Sequence, residues 1–233
     1  QAGSVGIGVT PETWTSTETA LQIGGNGHLR ATTAQGANKS LSLGQNVYIN
    51  SGYKYISTDQ ASAMIMGDGT ISLNVAASGS ADAAITWIQA LTVANDGNVT
   101  MPLQPAFQVF GTNQTDFAEN TAVTVAWDDT DRFDQGSNFL NDAFTAPVTG
   151  KYQFNIKLYL KSLESAYNYY ELSFLTHNKN YYSIFDPGGS GDPAYWTLQD
   201  SVLADMDAGD TAVVKIQAGG TGGGAGHDLS VHS

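Results

Sequence analysis

Phe144-Thr-Ala-Pro-Val-Thr-Gly-Lys-Tyr-Gln-Phe154 is the stretch that decides the fold of this chain. It predicts the start of a strand, a tight turn at Pro147–Gly150 and then a second strand. In the second strand polar and apolar side chains alternate over ten residues, the apolar ones being Tyr152, Phe154, Ile156, Leu158 and Leu160. Such alternation is typical of a β-strand with one buried and one exposed face.

The composition favours an all-β protein with many turns. The chain has 233 residues, which suggests one large or two modest domains. Only 13% of the residues are charged, and 26 are glycine. A hydrophobic fraction of 41%, with 10% aromatic residues, is enough to build a core, so general disorder is excluded.

The charge balance restricts the partners. The net charge is −13, and the nine basic residues are scattered along the sequence. Binding to nucleic acid or to an anionic membrane needs clustered lysine and arginine, so we expect neither partner. The absence of cysteine excludes thiol catalysis, disulfides and thiolate metal sites, and it favours a bacterial or viral source. The sequence opens on Gln1 and shows no signal peptide or membrane span, so we expect a fragment or a processed product.

Residues 1–101 predict a series of short strands separated by turns such as Gly67-Asp-Gly69 and Asn95-Asp-Gly97. Many of their apolar positions are alanine, so one copy buries little surface. Identical chains wrapped around a common axis would bury the alternating Ile, Leu and Val residues between them. We therefore expect a β-rich, intertwined, oligomeric stem.

The Pro102-Leu-Gln-Pro105 segment predicts an extended linker, because two prolines cannot lie inside a paired strand. Residues 106–233 are richer in aromatic residues and contain about eight strand candidates with turn signals between them. This pattern predicts a β-sandwich or jelly-roll head.

The head resembles the complement C1q-like globular domain, a relative of the tumour necrosis factor jelly roll. Five motifs carry the resemblance in the family's order: Gln104–Phe107, Val125–Asp128, Gly136–Phe139, Phe144–Phe154 and Ser201–Val214. The resemblance implies a jelly roll that forms homotrimers. The family closes with a central Phe-x-Gly-x-Leu strand, and this sequence reaches Ser230-Val-His-Ser233 where that strand would begin. We expect either that the fragment is cut short or that the final strand is replaced.

Residues 1–101 are similar to stem modules of bacteriophage tail fibres. The matching segments are Val5–Pro11, Leu21–Gly24, Asn46–Tyr48, Tyr53–Tyr55, Ala90–Val93 and Asp96–Val99. This similarity also implies homotrimers, and it implies an extracellular location on the virion, with other tail proteins upstream as partners.

Catalytic and metal-binding patterns are sparse. None of the four histidines lies in the context of a nucleophilic triad, and no repeat of the long β-helix of depolymerase spikes is present, so we expect no enzyme. Asp128-Asp-Thr-Asp131 lacks the glycine and glutamate of an EF-hand and predicts a solvated turn. His227 and His232 fall on opposite faces of a strand and could share a metal only around a trimer axis. No cofactor is predicted, and calcium is left open near Asp186 and Asp192.

The aromatic residues downstream of the turn are the candidate receptor site. The alternation in residues 167–174 predicts that Tyr170 faces the core and that Tyr167 and Tyr169 are exposed or interfacial. Exposed Tyr and Trp favour binding because each presents a rigid apolar face with a polar tip. Packing of each tyrosine in the core or at a trimer interface is the alternative. The candidate residues are Tyr167, Tyr169, Tyr181, Tyr182, Asp186, Tyr195 and Trp196.

These observations lead to the hypothesis of a phage tail fibre that binds a host surface glycan, lipopolysaccharide or protein. A secreted or cell-surface bacterial adhesin with a C1q-like head is one alternative. A head that serves only to hold the trimer together is another.

Overall fold

The computed structural model describes residues 3–115, 117–188, 191–220 and 230–232, apart from the side chains of residues 129–132, 230 and 232. The protein is all-β, as predicted. It divides into two compact units, an N-terminal unit of residues 1–103 and a C-terminal unit of residues 104–233. Among the described residues, no helix has the length and apolar character needed to cross a membrane.

The part of the N-terminal unit that the structure describes forms ten short strands. They are β1 (Val5–Ile7), β2 (Glu18–Ile23), β3 (Gly27–Thr32), β4 (Ser40–Gln45), β5 (Val47–Ile49), β6 (Tyr53–Tyr55), β7 (Asp59–Gly67), β8 (Thr70–Gly79), β9 (Ile88–Val93) and β10 (Val99–Thr100).

Eight of these strands form one sheet, in the order β1-β2-β3-β4-β7-β8-β9-β10, and β5 and β6 form a separate hairpin. Neighbouring strands of this sheet pair antiparallel, except for the parallel pair β1–β2, and the β5–β6 hairpin lies in the connection from β4 to β7. One side of the sheet is covered. Trp14 and Tyr48 pack together over part of it, and Tyr55 packs on Ala61 and Ala76.

The described residues of the C-terminal unit form eleven strands. They are β11 (Ala106–Gly111), β12 (Val123–Thr124), β13 (Trp127–Gln135), β14 (Phe139–Leu140), β15 (Ala143–Thr145), β16 (Gly150–Lys161), β17 (Tyr169–Thr176), β18 (Asn180–Phe185), β19 (Tyr195–Met206), β20 (Thr211–Gly219) and β21 (Ser230–His232).

These strands form the two layers of a jelly-roll sandwich, in agreement with the predicted fold class. One layer has the order β14-β15-β20-β17-β18, with β12 also on β20. The other contains β19-β16-β21 and the pair β11–β13. A single apolar core lies between the layers, with Phe144, Leu158, Leu172 and Ile216 almost fully buried.

The decisive stretch folds as predicted. β16 begins at Gly150, directly after the turn, and pairs along its whole length with β19. Phe154, Ile156, Leu158 and Leu160 are buried while the residues between them face outward. The Tyr152 hydroxyl donates a hydrogen bond of 2.5 Å to the carbonyl of Val148, which holds the turn against the strand.

One predicted feature differs in the structure. The Asp128–Asp131 segment is not a separate turn, because its backbone lies within β13 and Asp128 pairs with Phe110. The last described strand, β21, pairs with residues 159–161 of β16. Most of the Gly219–Gly226 loop, His227 and the His232 side chain lie outside the described residues.

Candidate functional site

The uncovered face of the N-terminal sheet carries rows of apolar side chains, and we call it the open face. Cross-strand partners place one apolar residue from each of seven strands in a single row. In sheet order this row is Val5, Leu21, Leu29, Leu43, Met64, Leu73 and Leu91. Directly opposed side chains lie about 5 Å apart, so the row is a continuous apolar strip.

Two further rows flank this strip on the same face. On one side the register aligns Ala31, Leu41, Met66, Ile71, Val93 and Val99. On the other side lie Ile7, Ile23, Val75 and Ile88, with Gln45 and Ser62 between them. Leu43 is 58% exposed and Leu73 is 43% exposed. An apolar surface that extends across a whole sheet marks an interaction site in a soluble protein.

The covered face of the same sheet is polar at its centre. Arg30 is buried, and its guanidinium donates hydrogen bonds to Glu18, Ser40 and Ser42 at 2.9–3.0 Å. Gln22 accepts hydrogen bonds from the backbone of Glu12 and from the Trp14 indole. These partners offset part of the cost of burying the charge, although the Nη2 atom of Arg30 has no hydrogen-bond partner among the described residues.

His28 lies in this polar layer, 3.2 Å from the Ser42 hydroxyl and with its ring edge against Trp14. Burial, with a further contribution from the positive charge of Arg30, lowers the pKa of His28 from 6.5 to about 4. A Cβ atom on Gly44 would lie 2.3 Å from the His28 ring, so the neighbouring strand needs glycine at that position. The histidine is sealed from solvent and serves packing, not catalysis.

The candidate receptor residues of the C-terminal unit do not share one surface. Tyr167 is only 2% exposed, so the prediction that it is exposed is wrong. It precedes β17 in a turn closed by a hydrogen bond to Glu164, and the alternation of a strand does not apply there. Its ring packs edge-on against Tyr170, 5.6 Å away, and burial raises its pKa.

Tyr170 faces the core as predicted. It is fully buried, and its hydroxyl accepts a hydrogen bond from the Glu164 amide. Burial raises the pKa of Tyr170 to about 12. Tyr181 is also on the inner face, close to Phe174, with the Lys179 ammonium over its ring. These tyrosines contribute to packing.

Tyr169 and Tyr182 lie on the outer face of the β17–β18 layer. The ring of Tyr169 rests over Gly219, where a Cβ atom would come within 2.2 Å of the ring. Tyr182 is 55% exposed, and its hydroxyl is hydrogen-bonded to the Asn180 amide. Tyr169 is partly buried, so Tyr182 is the more accessible of these two aromatic side chains.

Tyr195 and Trp196 begin β19 and lie on opposite faces of it, since Trp196 pairs with the buried Leu160 and Tyr195 faces outward. Tyr195 stacks on Tyr159 at 5.9 Å, and the ammonium of Lys161 lies over the Tyr159 ring. Trp196 stacks almost parallel on Phe185 at 4.8 Å, across the two layers. We call these two stacked pairs, one on each face of β19, the β19 aromatic cluster. The sequence indicated Tyr195 and Trp196, but it missed Tyr159 and Phe185 because their partners come from distant strands.

The acidic residues beside this cluster are engaged with the chain itself. Asp192 accepts hydrogen bonds from the backbone and hydroxyl of Ser165, and they lower its pKa. Asp186 accepts a hydrogen bond from the Gly188 amide. In the part of the chain that the structure describes, no three His, Asp or Glu residues form a group that could hold a metal ion.

Comparisons with known proteins give no family. No family model and no curated protein matches the chain. Solved structures of an exo-β-1,3-galactanase from Phanerochaete chrysosporium match at 8% identity. The galactose complex gives a TM-score of 0.20, over 93% of this chain and 68% of that one. Two variant complexes with β-1,3-galactotriose give 0.22, over 88% of this chain and 65% of theirs.

These matches correct one expectation. The sequence led us to expect no enzyme, and the matched structures are those of a glycoside hydrolase, which contradicts that expectation. TM-scores near 0.2 carry no argument about the fold or the chemistry of this chain, so no activity is transferred to it either.

Proposed function

We propose that this chain is part of a bacteriophage tail fibre, a self-associating protein that attaches the virion to the surface of a bacterial host. In this proposal residues 1–101 form a homotrimeric stem, and residues 106–233 form a C1q-like head that presents its loops and exposed aromatic residues to the receptor.

The single observation that carries the proposal is the open face of the N-terminal sheet. A sheet with leucine, isoleucine and valine rows toward water needs a partner, because each such side chain contributes about 1.5–3 kcal/mol when it is fully buried. A second face of the same kind on another copy of the chain supplies that partner. Burial between identical chains is the arrangement expected for an intertwined stem.

The number of copies comes from the two resemblances, both of which imply trimers. Three copies also suit a binding role, because weak sites on one tip act together and raise the overall avidity. The β19 aromatic cluster fits such a weak site. Tyr195 is 62% exposed and Trp196 is 42% exposed, and aromatic side chains with polar tips are common anchors in binding surfaces.

Light scattering on the purified chain tests the association. We expect a stable particle with the mass of three chains at micromolar concentration. A stable monomer would overturn the proposal, because the open face would then be exposed without any partner.

Competition for adsorption tests attachment. Susceptible bacteria are incubated with the purified chain before phage is added, and we expect fewer adsorbed virions as the concentration of the chain rises. A bacterial adhesin would bind its target without changing phage adsorption. If the head only holds the trimer together, the purified chain would not bind to the bacteria, and phage adsorption would stay the same.

A further inference from the structure

The layer β14-β15-β20-β17-β18 turns one face to the apolar core of the C-terminal unit, and its outer face carries a compact group of aromatic and polar side chains. On β17 these side chains alternate with the buried core residues of the same strand. Cross-strand pairing places residues of β20 on one side of them and a tyrosine of β18 on the other. We call this group the outer patch, and it consists of Tyr169, Glu171, Ser173, Tyr182, Lys215 and Gln217.

The centre of the outer patch is polar and is held in place by a buried hydroxyl. Ser173 points outward but is only 3% exposed, because it lies between the longer side chains of Lys215 and Tyr182, its direct partners on the neighbouring strands. Its hydroxyl donates a hydrogen bond of 2.7 Å to Oε1 of Glu171. The side chain of Gln217 stands opposite Glu171 on β20. A positioned carboxylate and an amide, which accept and donate hydrogen bonds, therefore stand side by side.

A tyrosine lies at each end of this polar centre. Tyr169 lies over its cross-strand partner Gly219, where a Cβ atom would come within 2.2 Å of the ring, so glycine lets the ring rest against the sheet. Tyr182 is 55% exposed, and its hydroxyl accepts a hydrogen bond of 3.1 Å from the Asn180 amide. Because Tyr182 stands opposite Ser173, the two tyrosines begin about 13 Å apart along the strand direction. An oligosaccharide covers such a span, whereas a single sugar ring does not.

The order of these groups favours a sugar over a protein as the partner. In protein–protein interfaces aromatic residues are enriched and charged residues are depleted at the centre. The outer patch has a carboxylate at its centre and aromatic rings at its ends. Sugar hydroxyls bond to carboxylate and amide groups, and the C–H faces of sugar rings pack on aromatic rings.

The charge of the outer patch favours a neutral sugar. The ammonium of Lys215 offsets the carboxylate of Glu171, so the patch has no net charge of its own. The whole chain has a net charge of −13 and repels an acidic polymer.

We propose that the outer patch is a binding site for a neutral oligosaccharide. Tyr169 and Tyr182 stack on two of its sugar rings, and Glu171 and Gln217 bond to the hydroxyls between them. This assignment rests on the proposed function for the source of the sugar, which is a polysaccharide of the bacterial surface. It names the chemical class of the receptor and adds a site to the β19 aromatic cluster.

Binding to immobilised polysaccharides tests the site without a host cell. The surface carries neutral and acidic bacterial polysaccharides, prepared from lipopolysaccharide and from capsules, and the full chain is applied in solution. We expect binding to neutral polysaccharides only. Tyr182→Ala removes one stacking ring, and Glu171→Gln removes the charged acceptor while it keeps the size of the side chain and an oxygen opposite Ser173. Each should weaken binding by at least about tenfold.

Leu140→Ala is the matched control. Leu140 is 61% exposed on the same outer face, but it lies on β14 at the opposite edge of the layer, so its removal should leave binding unchanged. The proposal would be overturned by any of three results. These are no binding to any neutral polysaccharide, binding to acidic polysaccharides alone, and equal binding by the original chain and all three variants.

A second arm separates failure of the site from failure of the proposed function. Bacteria that bind the chain are treated with periodate, which cleaves sugars at neighbouring hydroxyls, or with protease. Loss of binding after periodate but not after protease supports the proposal, and the reverse would overturn it in favour of a protein receptor. Binding to neutral polysaccharides without any effect of the chain on phage adsorption would support the site and contradict the tail-fibre function.

Discussion

In the C-terminal unit, Phe154, Ile156 and Leu158 of β16 point into a core that the opposite layer of the same chain completes. In the N-terminal unit, Leu29, Leu43 and Leu73 point to solvent, and the covered side of the sheet holds Arg30 and His28. The first arrangement buries its apolar surface within one chain. The second leaves its largest apolar surface exposed and covers a polar layer, and this exposed surface is the one that the proposed association would bury.

The largest effect is expected from breaking the open face. The double substitution Leu43→Asp and Leu73→Asp places two carboxylates in the central apolar row of every copy. Burying unpaired charge opposes association strongly, so we expect loss of the oligomer, with affinity reduced by several orders of magnitude. Light scattering measures the mass of the particle. The control is Ser78→Asp, which adds a carboxylate at an exposed position of β8 outside the apolar rows. An oligomer unaffected by the double substitution would show that the open face is not the interface.

The stability of the C-terminal unit is expected to depend on its own core and not on the oligomeric state of the chain. Phe144→Ala removes a ring that packs against Phe107, Tyr152 and Phe154, and it leaves a cavity. We expect a loss of about 3–5 kcal/mol in the free energy of unfolding of this unit. The exposed Val148→Ala variant is the control, and denaturant unfolding is the measurement. If Phe144→Ala dissociated the oligomer before the unit unfolded, the two units would not be independent.

The polar layer of the N-terminal unit predicts a pH dependence. Unfolded His28 titrates near 6.5 and the folded residue near 4, so its contribution to stability is complete above pH 6.5. As the pH falls from 6.5 to 4, the unfolded state binds the proton first, and stability decreases by about 3 kcal/mol over the window. Denaturant midpoints at pH 7 and pH 5 measure the change. In the His28→Gln variant, the decrease in stability between pH 7 and pH 5 should be smaller. An unchanged decrease would show that carboxylate groups, and not His28, cause the pH dependence.

The fold was predicted well where local pattern decides the structure. Alternation placed β16 at nearly its observed bounds, since both faces of that strand have clear partners within the chain. The same rule failed at Tyr167 because β17 begins two residues later, at Tyr169. In the turn before the strand, successive side chains do not alternate between two faces of a sheet. The predicted turn at Asp128 failed for the opposite reason, since pairing with β11 extends that segment despite its acidic residues.

The candidate site was predicted only in part, because cross-strand neighbours depend on register. The sequence indicated that Ile, Leu and Val residues of the N-terminal unit alternate, but it could not show that Leu29, Leu43 and Leu73 lie in one row across the sheet. Likewise Tyr195 was selected for its residue type, whereas its stacking partner Tyr159 was read as a member of a structural strand. Pairs of this kind are separated by dozens of residues and become visible only in the sheet.

The smallest effect is expected at the β19 aromatic cluster, and it separates binding from folding. Tyr195→Ala removes an exposed ring that stacks on Tyr159, so the free energy of unfolding should change by less than about 0.5 kcal/mol. If the cluster contacts the receptor, the concentration of the chain that halves phage adsorption should rise about tenfold, because loss of one anchor is repeated at three sites. Leu203→Ala is a matched control, since Leu203 is equally exposed on the same face of β19 but near its other end. Equal blocking by both variants and the original chain would remove Tyr195 from the receptor surface, and a matching test of Tyr182→Ala would then show whether the outer face of β18 takes that role.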